Sequence, residues 1–86
     1  MISVSPRGGG AFHVVVAESG SSTTHDVTAS PEDLARLSRD GETPEAFVVR
    51  CFEFLLEREP KESILGAFDI SVIARYFPEF ETEISR

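Results

Sequence analysis

Apolar and polar residues alternate along the first 29 positions and fall on a helical period over the remainder. Over Ala11–Glu18, Phe12, Val14 and Val16 alternate with His13, Val15 and Ala17, and Ser22–Ala29 continues with His25 and Val27. A period of two marks strands with one buried face. Ile2 and Val4 between serines give a weaker strand, and Pro6-Arg7-Gly8-Gly9-Gly10 reads as a flexible connection. Between the two clear strands, Ser19-Gly20-Ser21-Ser22 has glycine at the first central position of a type II′ hairpin turn. That turn sets Val14 opposite Val27 and Val16 opposite His25. It places Phe12, Val14, Val16, His25 and Val27 on the core face, with His13, Val15, Asp26 and Thr28 on the other.

Helix signals begin at Ser30-Pro31-Glu32-Asp33: a capping hydroxyl, proline at the first helical position and acids in the first turn. The predicted helix runs from Pro31 to Arg39, is packed by Leu34 and Leu37, and is closed by Gly41. Thr43-Pro44-Glu45 repeats the start signal for a helix over Pro44–Arg58. Ala46, Arg50, Glu53 and Glu57 form its narrow polar stripe, and Phe47, Val48, Val49, Cys51, Phe52, Phe54, Leu55 and Leu56 the rest. A helix so widely apolar is either the centre of the domain or part of a dimer seam. A third helix is expected from Pro60, packed by Ile64, Leu65 and Phe68 and ending at Gly66. Asp69 caps a fourth, with Val72, Ile73, Tyr76 and Phe77 inward, until Pro78 breaks it. A last turn carries Phe80 and Ile84. The whole reads as one α+β domain. An N-terminal β-hairpin or small antiparallel meander (residues 1–29) is followed by three to four helices (residues 30–86).

Charge narrows the choice of partners. The chain of 86 residues has 15 acidic and 8 basic residues, a net charge of −7, and Lys61 is its one lysine. Such a field repels phosphate backbones and anionic membranes, so nucleic acid is a disfavoured partner and a membrane an unexpected one. No apolar run approaches the ~20 residues of a membrane span. Met1–Arg7 lacks a signal-peptide pattern, so a soluble, cytoplasmic protein is expected. Cys51 is the only cysteine. It excludes an internal disulfide and a multi-cysteine metal site, and its apolar setting predicts a buried, inert thiol.

The segment Phe52–Ile84 reads FEFLLEREPKESILGAFDISVIARYFPEFETEI. This run, somewhat over a third of the chain, resembles the C-terminal signature of a family of small, functionally uncharacterised bacterial proteins. The resemblance implies a small intracellular bacterial protein and brings no activity, cofactor or catalytic residue with it.

The residues themselves offer little chemistry. No histidine–carboxylate spacing suits a metal, no nucleophile elbow surrounds any serine, and Gly8-Gly9-Gly10 is not followed by the lysine or helix start of a phosphate loop. No cofactor or catalytic set is therefore expected. A small enzyme would have to use His13 or His25, the only imidazoles, and they fall on opposite faces of the hairpin. A strand over Thr24–Ala29 followed by two helices also has the order of a ribbon-helix-helix DNA-binding dimer. Its base-reading positions would be Thr24, Asp26 and Thr28, or His25 and Val27, and none is basic. A non-catalytic protein-binding or self-associating accessory role rests on the aromatic excess. Phe47, Phe52, Phe54, Phe68, Tyr76, Phe77 and Phe80 crowd one stretch. Tyr76, Phe77 and Phe80 beside Pro78, with Arg75 as a polar rim, are the candidate surface for a protein partner or a homodimer.

Overall fold

The alternation of the first 29 residues builds a three-stranded antiparallel meander, β1 (Ile2–Gly8), β2 (Ala11–Glu18) and β3 (Ser21–Thr28). A short β4 (Ala67–Asp69) joins parallel to β3, giving the order β1-β2-β3-β4. The helices are α1 (Pro31–Leu37), α2 (Pro44–Leu56), α3 (Ile73–Tyr76) and α4 (Phe80–Ile84), with 3-10 turns at Lys61–Ser63 and Ile70–Val72. This is the α+β architecture that the patterning predicts. The computed structural model describes all 86 residues, Met1–Arg86.

Cross-strand pairing lays the inner face out in rows: Ile2–Val16–Thr23, Val4–Val14–His25 and Pro6–Phe12–Val27–Phe68. Phe12, Val14, Val16, His25 and Val27 are all buried there. Their register differs from the predicted one. Ser19 (φ 56°) and Gly20 (φ 77°) are both left-handed, so the loop is a two-residue turn of type I′ character closed by Glu18 and Ser21. Val14 consequently faces His25, and Phe12 faces Val27. The primed turn follows the right-handed twist of the strands. Because the displacement is two residues, every side chain keeps its predicted face.

Pro6 lies inside β1 rather than in a connection. Met1 and Ala17 exchange both main-chain bonds, at 2.6 and 2.8 Å. Pairing alternates, so Ser3 and Ser5 bond to β2, whereas Ile2, Val4 and Pro6 turn their main-chain groups to the open edge. The missing N–H of Pro6 therefore costs no ladder bond, and it blunts that edge against further strands. The Gly8-Gly9-Gly10 turn is specified as well. A Cβ on Gly10 (φ 80°) would meet the Ala29 carbonyl oxygen at 2.8 Å, and that residue's N–H donates to Gly10 O at 2.9 Å.

Ser30 and Thr43 cap α1 and α2 through Asp33 N–H and Ala46 N–H, as their sequences predict. α1 stops at Leu37, because Ser38 is extended and returns its N–H to Leu34 O. α2 stops at Leu56, where Arg58 and Glu59 N–H both turn to Leu55 O. The helix expected from Pro60 does not form. No side chain caps Pro60, and after one 3-10 turn the chain extends. Gly66 O accepts Asp26 N–H at 2.8 Å, and Ala67–Asp69 take the free edge of β3. A start without a side-chain cap loses to an unpaired strand edge.

α2 is enclosed on two sides. Phe52 lies 5.3 Å from the His25 ring and 6.0 Å from Phe68. Phe54, on the opposite side, meets Phe77 at 6.0 Å and Phe80 at 5.1 Å, both edge-on. Each fully buried phenylalanine contributes roughly 1.5–3 kcal/mol relative to exposure. The Cα radius of gyration, 12.0 Å, matches the ~12 Å of one compact body of this length.

Gly10→Ala should lower the unfolding free energy by about 1–3 kcal/mol, read from the urea midpoint at constant m. Gly66→Ala meets no atom within 4 Å and has no positive φ, so it should match wild type or gain up to about 1 kcal/mol. Equal effects at the two glycines would contradict the close approach of Gly10 to Ala29.

Candidate functional site

The surface turns concave where β4 and α3 meet the end of α2. Ser63–Leu65 and Val72–Phe77 form the walls of a groove of about 190 Å³, closed below by Leu55, Ile64, Phe68 and Ile73. Eight of its ten lining residues are hydrophobic, so water in it gains few hydrogen bonds. Most of the floor is buried, with Leu55 and Ile73 each 3 % exposed and Ile64 7 %, and Phe68 is half-buried. The lips are not: Leu65 is 48 % and Tyr76 67 % exposed. Met1 is the only other large apolar residue so open to solvent.

Leu65 is held at the lip by its backbone. His25 Nδ1 lies 2.8 Å from Leu65 O, and His25 Nε2 lies 2.8 Å from Thr23 Oγ1. A carbonyl only accepts, so Nδ1 carries the proton and Nε2 accepts from the threonine hydroxyl; the tautomer is assigned from these partners. The next carbonyl, Gly66 O, accepts Asp26 N–H. Two bonds to β3 fix the main chain while the leucine side chain stays outside. His25 is thus a satisfied core histidine that ties the groove wall to the sheet. No carboxylate bonds to it.

His13 sits on the opposite sheet face, in the row Ser5–His13–Asp26. Its Nδ1 is 3.0 Å from Asp26 Oδ1, at a site where the aspartate side chain is 75 % exposed. No hydrogen bond joins Ser5 to the imidazole, and neither histidine lines the groove. The two imidazoles are therefore kept apart, as the alternation implies. β3 is paired by β2 along its length and by β4 at Asp26–Thr28. Within Thr24–Ala29, Asp26–Thr28 therefore already have a strand on each side, where a two-chain ribbon of ribbon-helix-helix type requires a free edge.

Of the four residues expected to form a partner surface, Tyr76 and Phe77 line the groove and Arg75 is exposed beside it. Phe80 is a correction. It is 1 % exposed, held edge-on against Phe54 beneath α4, and belongs to the core. Leu65, Phe68, Val72 and Glu59 complete the surface and were not anticipated. Their meeting depends on β4 taking the sheet edge, which no local signal announces.

Arginines fasten the C-terminal segment over α2. Arg50 Nε and Nη2 donate to Glu42 at 2.6 and 2.7 Å, and Arg50 Nη1 donates to Ile84 O at 2.5 Å. Arg36 bridges Asp33 and Glu81 at 2.8 and 2.7 Å. The Arg58 guanidinium carbon lies 3.6 Å from the Phe54 ring centroid, and Nε donates to Glu79 at 2.9 Å. Hydrogen bonds from these arginines hold the Glu42, Glu79 and Glu81 carboxyls below the ordinary carboxylate value. Burial pushes the Cys51 thiol up to about 12, with the neighbouring Arg50 charge opposing.

No family model, curated protein or solved structure matches this chain. No helix is long and apolar enough to cross a membrane.

A carboxyl lowered on folding stabilises the native state above its unfolded value, and that share is lost as pH falls through the folded value. Unfolding free energy should therefore fall as the pH drops below about 4.5, the ordinary value for these glutamates. Arg50→Met should cost about 2–3 kcal/mol at neutral pH and flatten the acid limb in a urea series at stepped pH. An unchanged limb would remove Glu42 from this role. Cys51 should react with a thiol reagent only at the rate of unfolding, and rapid native labelling would contradict its burial.

Proposed function

We propose that this is a non-catalytic, cytoplasmic accessory protein of bacterial type that works by binding another protein through the groove between β4 and α3. The observation that carries the reading is the placement of Leu65 and Tyr76. Two large apolar side chains stay in water at the rim of an apolar cleft whose floor is already mostly buried. A folded monomer gains nothing by leaving them there, whereas anchors of this kind become stabilising when a partner excludes the water. The acidic surface supports the same reading over nucleic acid, because half of the basic side chains are engaged in ion pairs. Arg36, Arg50, Arg58 and Lys61 are in ion pairs with glutamate or aspartate, so their charges are already matched. The resemblance of Phe52–Ile84 to small bacterial proteins fits this role, and that segment includes every residue lining the groove.

Leu65→Asp and Tyr76→Asp each remove an exposed apolar lip without touching the floor. Each variant should unfold within about 0.5–1 kcal/mol of wild type. The pair together should abolish both the fluorescence gain of an apolar dye on the native protein and nuclease-resistant capture of a stoichiometric protein from host lysate. Retention of dye and capture by the folded double variant would defeat the reading.

A further inference from the structure

Glu59 is the one charged residue in the groove wall, and it has no partner. It sits just past the end of α2, half-buried, with its N–H bonded to Leu55 O. The glutamates around it are matched: Glu57 with Arg58 at 3.3 Å, and Glu62 with Lys61 at 2.9 Å. No hydrogen bond or ion pair in the structure engages the Glu59 carboxylate. A lone carboxylate beside apolar residues loses hydration when the groove is covered, so a partner that brings no cation would leave it desolvated and unpaired.

Resting on the groove reading above, we propose that the cleft takes a segment of a different protein bearing one large apolar anchor beside a lysine or arginine. Glu59 is its specificity determinant. The cleft volume of about 190 Å³ sets the anchor. A cavity of about 150 Å³ admits a benzene-sized group, so this one has room for a single Leu, Met or Phe side chain. The charge sets the rest. Each copy of the chain has a net charge of −7, which opposes docking of a second copy and attracts a basic segment. A partner lacking the cation is rejected by the unpaired carboxylate, so discrimination arises from a repulsive element as well as an attractive one.

The test uses the full chain and fluorescein-labelled, helix-forming peptides of one design. One pool has a Leu or Phe anchor with lysine three or four residues to either side. Its twins replace lysine by glutamate, or the anchor by alanine. Anisotropy titrations at low salt should show the lysine pool binding wild type at least about tenfold more tightly than the glutamate pool, with binding lost in the alanine twin. Glu59→Gln should erase the charge preference while keeping anchor-dependent binding, and Glu59→Lys should invert it. Anchor-dependent binding indifferent to charge would overturn the assignment of Glu59 and leave the groove reading standing. No anchor-dependent binding would overturn both. Concentration-dependent self-association in sedimentation that Tyr76→Asp abolishes would put a second copy in the groove and overturn the assignment too.

Discussion

Phe52 and Phe54 leave α2 about 200° apart, given ~100° per residue on a helix. One packs into the sheet beside His25, and the other into the C-terminal segment beside Phe80. No single layer can cover both. A four-stranded sheet buries one face of α2, and the chain must return across the other or leave Phe54 in water. The arginine contacts to Glu79, Glu81 and Ile84 O follow from that need. They add direction to a segment whose own helices are only four and five residues long and too short to persist alone. The same geometry explains why α2 has an apolar circumference: Phe47, Val48, Cys51, Phe52, Phe54 and Leu55 are all buried within one chain.

The groove is a by-product of how the return is made. From Leu56 the chain must reach the β3 edge, pair there for three residues and turn back over α2. Ser63–Leu65 and the stretch Val72–Phe77, which holds α3, consequently line the two sides of one groove. His25 takes part at a distance, because its bond to Leu65 O sets the position of one wall. A buried, fully bonded imidazole thus holds the backbone of the groove wall in place.

Much of this was legible from local pattern. Period-two alternation gave β2, β3 and their faces, and the Ser30-Pro31 and Thr43-Pro44 signals marked both helix starts. What stayed hidden depended on distant partners. The two-residue slip at Ser19-Gly20 arises because a non-glycine residue accepts a positive φ to suit strand twist. Ala67–Asp69 reads as the junction between two helices until the open edge of β3 is known. Phe80 looks exposable beside Pro78 because its burial depends on Phe54, far back in sequence. The candidate surface was half legible for the same reason. Tyr76 and Phe77 could be picked out from their place beside a helix breaker, whereas Leu65, Phe68 and Glu59 join them only through the tertiary path of β4.

The open groove is most directly tested by solvent paramagnetic relaxation with a soluble nitroxide on the full chain. The structure predicts strong broadening at the Leu65 methyls and the Tyr76 ring, unchanged over a wide range of protein concentration. Ile64 and Ile73, on the floor, should be protected. Protection of Leu65 and Tyr76 equal to that of the floor would contradict an open binding surface. It would mean that the groove is already filled, by the chain itself at every concentration or by a second copy if protection grows with concentration.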